Sequence, residues 1–146
     1  MSELDQLYQQ LIIDHSKERH GCKEISAEHV VSHQVNPSCG DEVEFGLVVK
    51  DGLISDISWQ GQGCSISQAS ISIMNDLILG KSLEEVDKLY ESFLTLMHSK
   101  GKEVDEEVLD HLQDASAFQG VSKYPARIKC ALLGWMALRD SVAKTH

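Results

Sequence analysis

The chain has 146 residues, of which 42% are hydrophobic and 25% are charged, and 23 acidic against 13 basic residues give a formal net charge of −10. A chain of this size can bury a core of its own, and we expect one domain over residues 1–146. The negative charge repels phosphate groups, so nucleic acid and an anionic membrane surface are not expected partners. No apolar run is long enough to span a bilayer, and the acidic N-terminal residues do not form a signal peptide, which predicts a cytoplasmic protein.

The cysteines are the next constraint. A chain without an export signal stays in a reducing compartment, where disulfides do not persist. The four cysteines are therefore expected to be thiols, thiolates or metal ligands. Cys22 has no cysteine or histidine at ligand spacing after it, so a free thiol is the simpler interpretation and its role stays open.

In chain order, the first predicted element is an amphipathic helix, because apolar side chains recur at helical spacing between residues 4 and 12. A first strand, rich in valine, is predicted over residues 29–35. It contains His29 and His33, which could be ligands. Solvated or hydrogen-bonded histidines at a sheet edge are the simpler interpretation, and the roles of both residues stay open.

The most regular pattern lies between residues 41 and 59. Val43, Phe45 and Leu47 alternate with polar or small residues, which is typical of a half-buried strand. Asp51-Gly52 then predicts a tight hairpin, because both central positions of that turn need positive φ. A third strand over residues 53–59 completes a small antiparallel sheet of about three strands.

Helices are predicted for the rest of the chain. Two glycines end the strand pattern, and Ser65 or Ser67 is expected to cap the helix that follows. A capping box at Ser82-Leu83-Glu84-Glu85 begins another helix, and a short helix is predicted within residues 100–114. Pro125 suits the first position of the last helix. The predicted fold class is α+β, with the sheet packed against the helices.

The candidate site consists of Cys39, Asp41, Cys64 and Cys130. Each lies in a loop or in the first turns of a predicted element, where distant segments can converge. Three thiolates and a carboxylate suit tetrahedral zinc, because sulfur is a soft ligand and zinc a borderline ion. The spacing is not that of a zinc finger, so spacing alone leaves a metal site and scattered inert thiols equally open. Cys130 is expected to lie away from the apolar face of the last helix, which contains Trp135.

Three motifs resemble those of the IscU/NifU N-terminal family. They are Asn36-Pro37-x-Cys39-Gly40-Asp41, Gly61-x-Gly63-Cys64-x-Ile66-Ser67-x-Ala69-Ser70 and Arg127-x-x-Cys130-Ala131-Leu132-Leu133. The first helix is also similar, with Leu7-Tyr8-x-x-x-Ile12-x-Asp14-His15, so the resemblance covers nearly the whole chain. It implies an IscU/SufU-like fold and a role in iron–sulfur cluster biogenesis beside a cysteine desulfurase.

Two departures from the family pattern favour its zinc-dependent sulfurtransferase branch, the SufU type, which works with a SufS-type desulfurase. Cluster scaffolds of the IscU type have a histidine immediately before the third cysteine. This chain has Lys129 there, and an ammonium group is no metal ligand at neutral pH. The chaperone motif of the scaffolds, Pro-Pro-Val-Lys, is replaced by Tyr124-Pro125-Ala126-Arg127. The long insert between Gly80 and Tyr124 is also similar to the SufU type.

The resemblance implies a sulfur relay on zinc. Zinc would be bound by Cys39, Asp41, Cys64 and Cys130. Cys39 would accept persulfide sulfur from the desulfurase, and Arg127 would support it by steering Cys39 or by contacting the partner. A surface charge near the start of the last helix stays open as the alternative for Arg127. Downstream cluster-assembly proteins would receive the sulfur, and the chain would be a sulfurtransferase. Two alternatives stay open: a scaffold that assembles an iron–sulfur cluster on the same cysteines and is not an enzyme, and a structural zinc module that binds a protein.

Overall fold

A computed structural model describes residues 2–37 and 40–145 of the chain. In chain order the elements are helix α1 (Glu3–Glu18), strands β1 (Val30–Asn36), β2 (Asp41–Lys50) and β3 (Leu53–Gln62), helices α2 (Ser65–Ile78), α3 (Leu83–His98) and α4 (Glu106–Leu112), a 3-10 helix (Gln113–Lys123) and helix α5 (Pro125–Lys144). The α+β fold class predicted from the sequence is confirmed.

The sheet is an antiparallel meander in the order β1-β2-β3, as the sequence pattern predicts. Its central strand is β2, on which Val43, Phe45 and Leu47 are fully buried. Asp51 and Gly52 have φ values of 55° and 77°, so both central positions of the turn between β2 and β3 have positive φ. The alternation and the Asp-Gly signal therefore determine both the strands and the turn that joins them.

The helices pack against the sheet and against each other. Helix α5 contacts β1 and β2, and α2 contacts α5 and α1. In the core, the Phe93 ring stacks on Trp135 with centroids 4.6 Å apart. The predicted helix start at Ser82 is confirmed, since Ser82 is the N-cap residue of α3 and the Glu85 backbone N–H donates to Ser82 Oγ (3.2 Å). None of the described helices combines the length and the apolar character needed to cross a membrane.

Helix α5 is buried on more than one side. Cys130 is only 3% exposed and Trp135 is 1% exposed, so the expectation that Cys130 lies away from the buried face is wrong. The reason is that α5 packs on the sheet and also on α2. A Cβ atom on Gly134 would overlap Ile71 Cγ1 of α2, so the missing side chain lets the two helices approach closely.

The segment after α1 attaches that helix to β3. Arg19 Nη2 donates a hydrogen bond to the Gly61 carbonyl (2.7 Å), and the Arg19 guanidinium lies 5.1 Å from the centroid of the Trp59 ring. Trp59 Nε1 in turn donates to the His20 carbonyl (2.8 Å). These contacts fix the end of β3, from which the chain continues to Cys64.

Candidate metal centre

Three of the four predicted ligands converge in the structure. Asp41 is the first residue of β2, Cys64 immediately precedes α2, and Cys130 lies in the second turn of α5. One ligand atom from each lies within 4.8 Å of the others. Cys39, the fourth predicted ligand and the predicted sulfur acceptor, lies outside the described residues.

Asp41 is the best-enclosed member of this cluster. Its residue exposure is 0%, and its Oδ1 accepts a hydrogen bond from the Cys64 backbone N–H (2.9 Å). Its Oδ2 lies 3.9 Å from Cys64 Sγ. A carboxylate with one oxygen fixed by a backbone donor presents the other oxygen in a defined direction, as ordered metal ligands do.

Gly63 makes this arrangement sterically possible. Its φ is 153°, and a Cβ atom there would overlap Asp41 Oδ1 and come within 2.8 Å of Ser67 Oγ. Any side chain at this position would therefore push the carboxylate away from Cys64. Gly63, which the sequence marks as the end of the strand pattern, is therefore also needed for the position of the Asp41 carboxylate.

Cys64 is exposed and is itself the N-cap residue of α2, without a side-chain capping hydrogen bond. The prediction that Ser65 or Ser67 caps this helix is therefore wrong. Ser67 Oγ instead donates to the Cys64 carbonyl (3.0 Å) and lies 4.0 Å from Cys64 Sγ. The Cys64 backbone N–H donates to the Asp41 carboxylate, so the hydrogen bond that caps the start of α2 comes from a side chain of β2.

Cys130 is held from β1 and from its own helix. Asn36 Nδ2 donates to Cys130 Sγ at 3.9 Å, and this sulfur lies 3.6 Å from the Ala126 carbonyl oxygen. Asn36 is buried and pairs with Asp41 in the sheet register. Sequence reasoning gave Asn36 no role, although its place at the start of the first motif was a usable signal.

The described donors fit a thiophilic metal ion. Zinc bound to sulfur at about 2.3 Å and to oxygen at about 2.0 Å separates its ligands by about 3.5–3.8 Å in a tetrahedron. The 3.9 Å between Cys64 Sγ and Asp41 Oδ2 is close to that range. Two sulfur atoms and one carboxylate do not suit calcium or magnesium, which need six or more oxygen ligands. The cluster therefore favours zinc or iron. Its three donors leave one position of a tetrahedral site for a fourth ligand.

The two cationic residues beside Cys130 lie on the surface. Lys129 is exposed, and the Arg127 guanidinium lies 4.8 Å from the centroid of the exposed Tyr124 ring. Arg127 also lines a groove together with Ser65 and Ile66, the first residues of α2. Arg127 is thus next to the segment that follows Cys64, although it is not part of the ligand cluster.

The other sequence candidates lie elsewhere. His29 Nδ1 accepts the Ser26 backbone N–H (3.0 Å), so the proton is on Nε2, which donates to Asp56 (2.8 Å). Burial raises the pKa of Asp56, but hydrogen bonds from Lys23 and His29 outweigh it and the net pKa is lowered. The simpler interpretation of His29 is confirmed.

His33 and Cys22 are also outside the cluster of Asp41, Cys64 and Cys130. His33 Nε2 lies 3.0 Å from Glu42 Oε2, and the His33 side chain is 55% exposed. The described Cys22 is a free, partly buried thiol that packs against the core.

The fold and the cluster define a small sheet-and-helix protein with a mixed thiol and carboxylate centre. The chain belongs to the family of NifU-like N terminal domains, whose profile matches residues 7–142. It is 41% identical over 143 residues to the zinc-dependent sulfurtransferase SufU of Bacillus subtilis strain 168, covering 98% of this chain and 94% of that protein. It is 34% identical over 145 residues to the iron-sulfur cluster assembly scaffold protein IscU of Streptococcus pyogenes serotype M1, covering 99% and 88%.

A solved structure has the same fold. This is FiSufU of Fervidobacterium islandicum AW-1, a protein proposed as an iron-sulfur cluster assembly scaffold for the SUF system. The match has a TM-score of 0.82 and 36% sequence identity, and covers 94% of this chain and 97% of FiSufU. The family resemblance predicted from the three cysteine motifs is confirmed.

Proposed function

We propose that this protein acts in iron–sulfur cluster biogenesis as a zinc-bound sulfur acceptor. It takes persulfide sulfur from a SufS-type cysteine desulfurase in the cytoplasm and passes it to downstream cluster-assembly proteins. The observation that carries the proposal is the convergence of Asp41, Cys64 and Cys130. The identity to a relative named as a zinc-dependent sulfurtransferase supports it.

Zinc is the proposed ion, held by Asp41, Cys64, Cys130 and Cys39. The first three are the described donors, and Cys39 is two residues from Asp41, so chain connectivity alone keeps their Cα atoms within about 7 Å. Bound zinc would keep its thiol ligands deprotonated at neutral pH without redox chemistry of its own. Lys129, where a scaffold would have a histidine, supplies no ligand and favours this ion over a cluster.

In the sulfur transfer, one sulfur–sulfur bond forms and another breaks. The Cys39 thiolate attacks the terminal sulfur of the desulfurase persulfide, and a new S–S bond forms on Cys39. The S–S bond on the desulfurase breaks, and its cysteine leaves as a thiolate, so no external oxidant or reductant is consumed. Asp41, Cys64 and Cys130 stay in place, because their contacts come from β1, β2, α2 and α5.

The test of this function is the turnover of a SufS-type desulfurase, measured as alanine released from cysteine. The wild-type zinc protein is expected to stimulate turnover many-fold without iron, and Cys39→Ala is expected to return it to the rate of the desulfurase alone. Cys22→Ala, which also removes one cysteine, is the matched control and keeps full stimulation. Stimulation that survives in Cys39→Ala contradicts Cys39 as the acceptor.

Arg127 is proposed to contact the desulfurase. Replacing Arg127 by alanine removes an exposed positive charge that would face the partner. The concentration of this protein needed for half-maximal stimulation is therefore expected to rise about fivefold, and its dependence on salt is not expected to become steeper. The zinc content is expected to stay unchanged. Arg139→Ala is the control, since Arg139 also lies over a tyrosine ring, Tyr90, at 4.9 Å. Loss of zinc in Arg127→Ala would instead assign Arg127 to the metal centre.

The second candidate is a scaffold that assembles an iron–sulfur cluster. The observation that favours it is the 34% identity to a relative named as such a scaffold. It predicts unchanged desulfurase turnover and a brown protein with iron-dependent absorbance after incubation with iron, cysteine and desulfurase. A colourless protein that stimulates the desulfurase excludes it.

A further inference from the structure

A second group of metal-binding side chains lies where the end of α1 meets α2. Ligand atoms of His15, His20 and Asp76 lie within 4.8 Å of one another. At 1.5 Å of rise per residue, about 18 Å of helix separates Cys64 from Asp76. This group is therefore separate from the cluster around Asp41 and does not depend on the function proposed for it.

Both histidines have one ring nitrogen held by another side chain. His15 Nδ1 lies 2.7 Å from Ser72 Oγ, and the described contacts give its Nε2 no hydrogen-bond partner. His20 Nε2 lies 2.9 Å from Glu18 Oε1, which leaves Nδ1 turned toward Asp76. Histidines that bind metals usually have their second nitrogen fixed by a carboxylate, a backbone carbonyl or a water molecule. Glu18 supplies a carboxylate for His20, and the Ser72 hydroxyl is the oxygen partner of His15.

A hydrogen bond now occupies the place where a cation would bind. His20 Nδ1 lies 2.6 Å from Asp76 Oδ2. The hydrogen bond with Asp76, and then the one with Glu18, raise the pKa of His20. A metal ion would take the place of the hydrogen bond to Asp76 and would separate Nδ1 from Oδ2 to about 3.3 Å. The His20 and Asp76 side chains are 35% and 47% exposed and can rotate that far.

The group has a cavity beside it. The cavity has a volume of about 50 Å³ and is lined by His15 and Asp76 together with Gln113 and Asp114. A volume of this size holds an ion with a water molecule, since one water needs about 10–15 Å³. His15 is 7% exposed, so its ring is anchored while the other two ligands reach solvent.

We propose that His15, His20 and Asp76 form a second metal site that binds one first-row transition-metal cation with a preference for imidazole nitrogen. Ni²⁺ and Zn²⁺ are such ions. Binding joins the end of α1 to α2 through the ion.

The test uses the full-length protein without an affinity tag, loaded first with one equivalent of zinc. Calorimetric titration with Ni²⁺ at pH 7.5 is expected to show one further ion per chain. His20→Asn and Asp76→Asn are each expected to weaken this event roughly tenfold or more. His33→Asn is the matched control, because His33 also pairs with a carboxylate, at 3.0 Å, and its binding curve is expected to match wild type.

A further variant keeps a structural effect apart from ligand loss. Glu18→Gln keeps all three ligands and an amide oxygen that can accept from His20 Nε2, so its Ni²⁺ affinity is expected to fall less than that of His20→Asn. A purely structural hydrogen-bond network would respond to both variants alike. A zinc-loaded wild type that binds no further Ni²⁺, or a His20→Asn protein that binds it as wild type does, would overturn the proposal.

Discussion

Replacing Cys130 by serine is expected to remove the proposed zinc ion from the protein. The Cys130 side chain is buried, and its sulfur is one of the three described donors, so a serine there leaves Cys64 as the one thiol of the described cluster. Zinc affinity is expected to fall by roughly 100-fold or more, beyond the loss typical for residues that only support a ligand. The measurement is zinc content after dialysis against a chelator of known affinity.

Cys22→Ser is the matched control, because Cys22 is also a partly enclosed cysteine but lies outside the cluster. It is expected to keep about one zinc per chain. The Cys130→Ser protein is expected to stay folded with a lower Tm, because the core of the protein includes Trp59, Phe93 and Trp135 and does not need the metal. Complete unfolding of the zinc-free protein by circular dichroism would support the structural zinc module instead.

Replacing Gly63 by alanine is expected to damage the site without removing any ligand. The new Cβ atom would overlap the Asp41 carboxylate and press on Ser67 Oγ, so the carboxylate must move. Overpacking of this kind lowers the free energy of unfolding by about 1–3 kcal/mol. Displacement of an oriented ligand is expected to weaken zinc binding roughly 10- to 100-fold. Urea unfolding and chelator competition measure the two effects.

Gly52→Ala is the control for backbone strain. Gly52 has a φ of 77°, and a Cβ atom there meets nothing within 4 Å. This variant is expected to lose about 1 kcal/mol of unfolding free energy from the strained φ and to bind zinc as wild type does. Equal zinc affinity in Gly63→Ala and Gly52→Ala would mean that Asp41 tolerates the displacement or does not bind the metal.

Local sequence patterns predicted the elements well where the controlling forces are local. The alternation of β2 follows from burial of one face, and the Asp51-Gly52 turn follows from the φ values that it needs. The capping of α2 could not be predicted from the neighbouring residues, because the Cys64 backbone N–H donates to Asp41, which is 23 residues away. The burial of Cys130 was missed because α5 has a second neighbour, α2, that its own periodicity does not reveal.

The two candidate sites also differ in how far the sequence predicts them. Cysteine chemistry and the family resemblance led to Asp41, Cys64 and Cys130 before any contact was known. The group of His15, His20 and Asp76 could not be predicted, because His20 and Asp76 are 56 residues apart and each alone is typical of a protein surface. Only the packing of α1 on α2 brings them together.

The three described donors enter the chain at very different times during synthesis. Asp41 and Cys64 leave the ribosome early, whereas Cys130 belongs to α5, the last of the described elements. At about 5–20 residues per second, the two earlier donors wait several seconds for the third. A nascent chain that lacks α5 therefore has no complete set of these three donors, so a metal ion can be bound by all three only after α5 has been made and has packed against the rest of the fold.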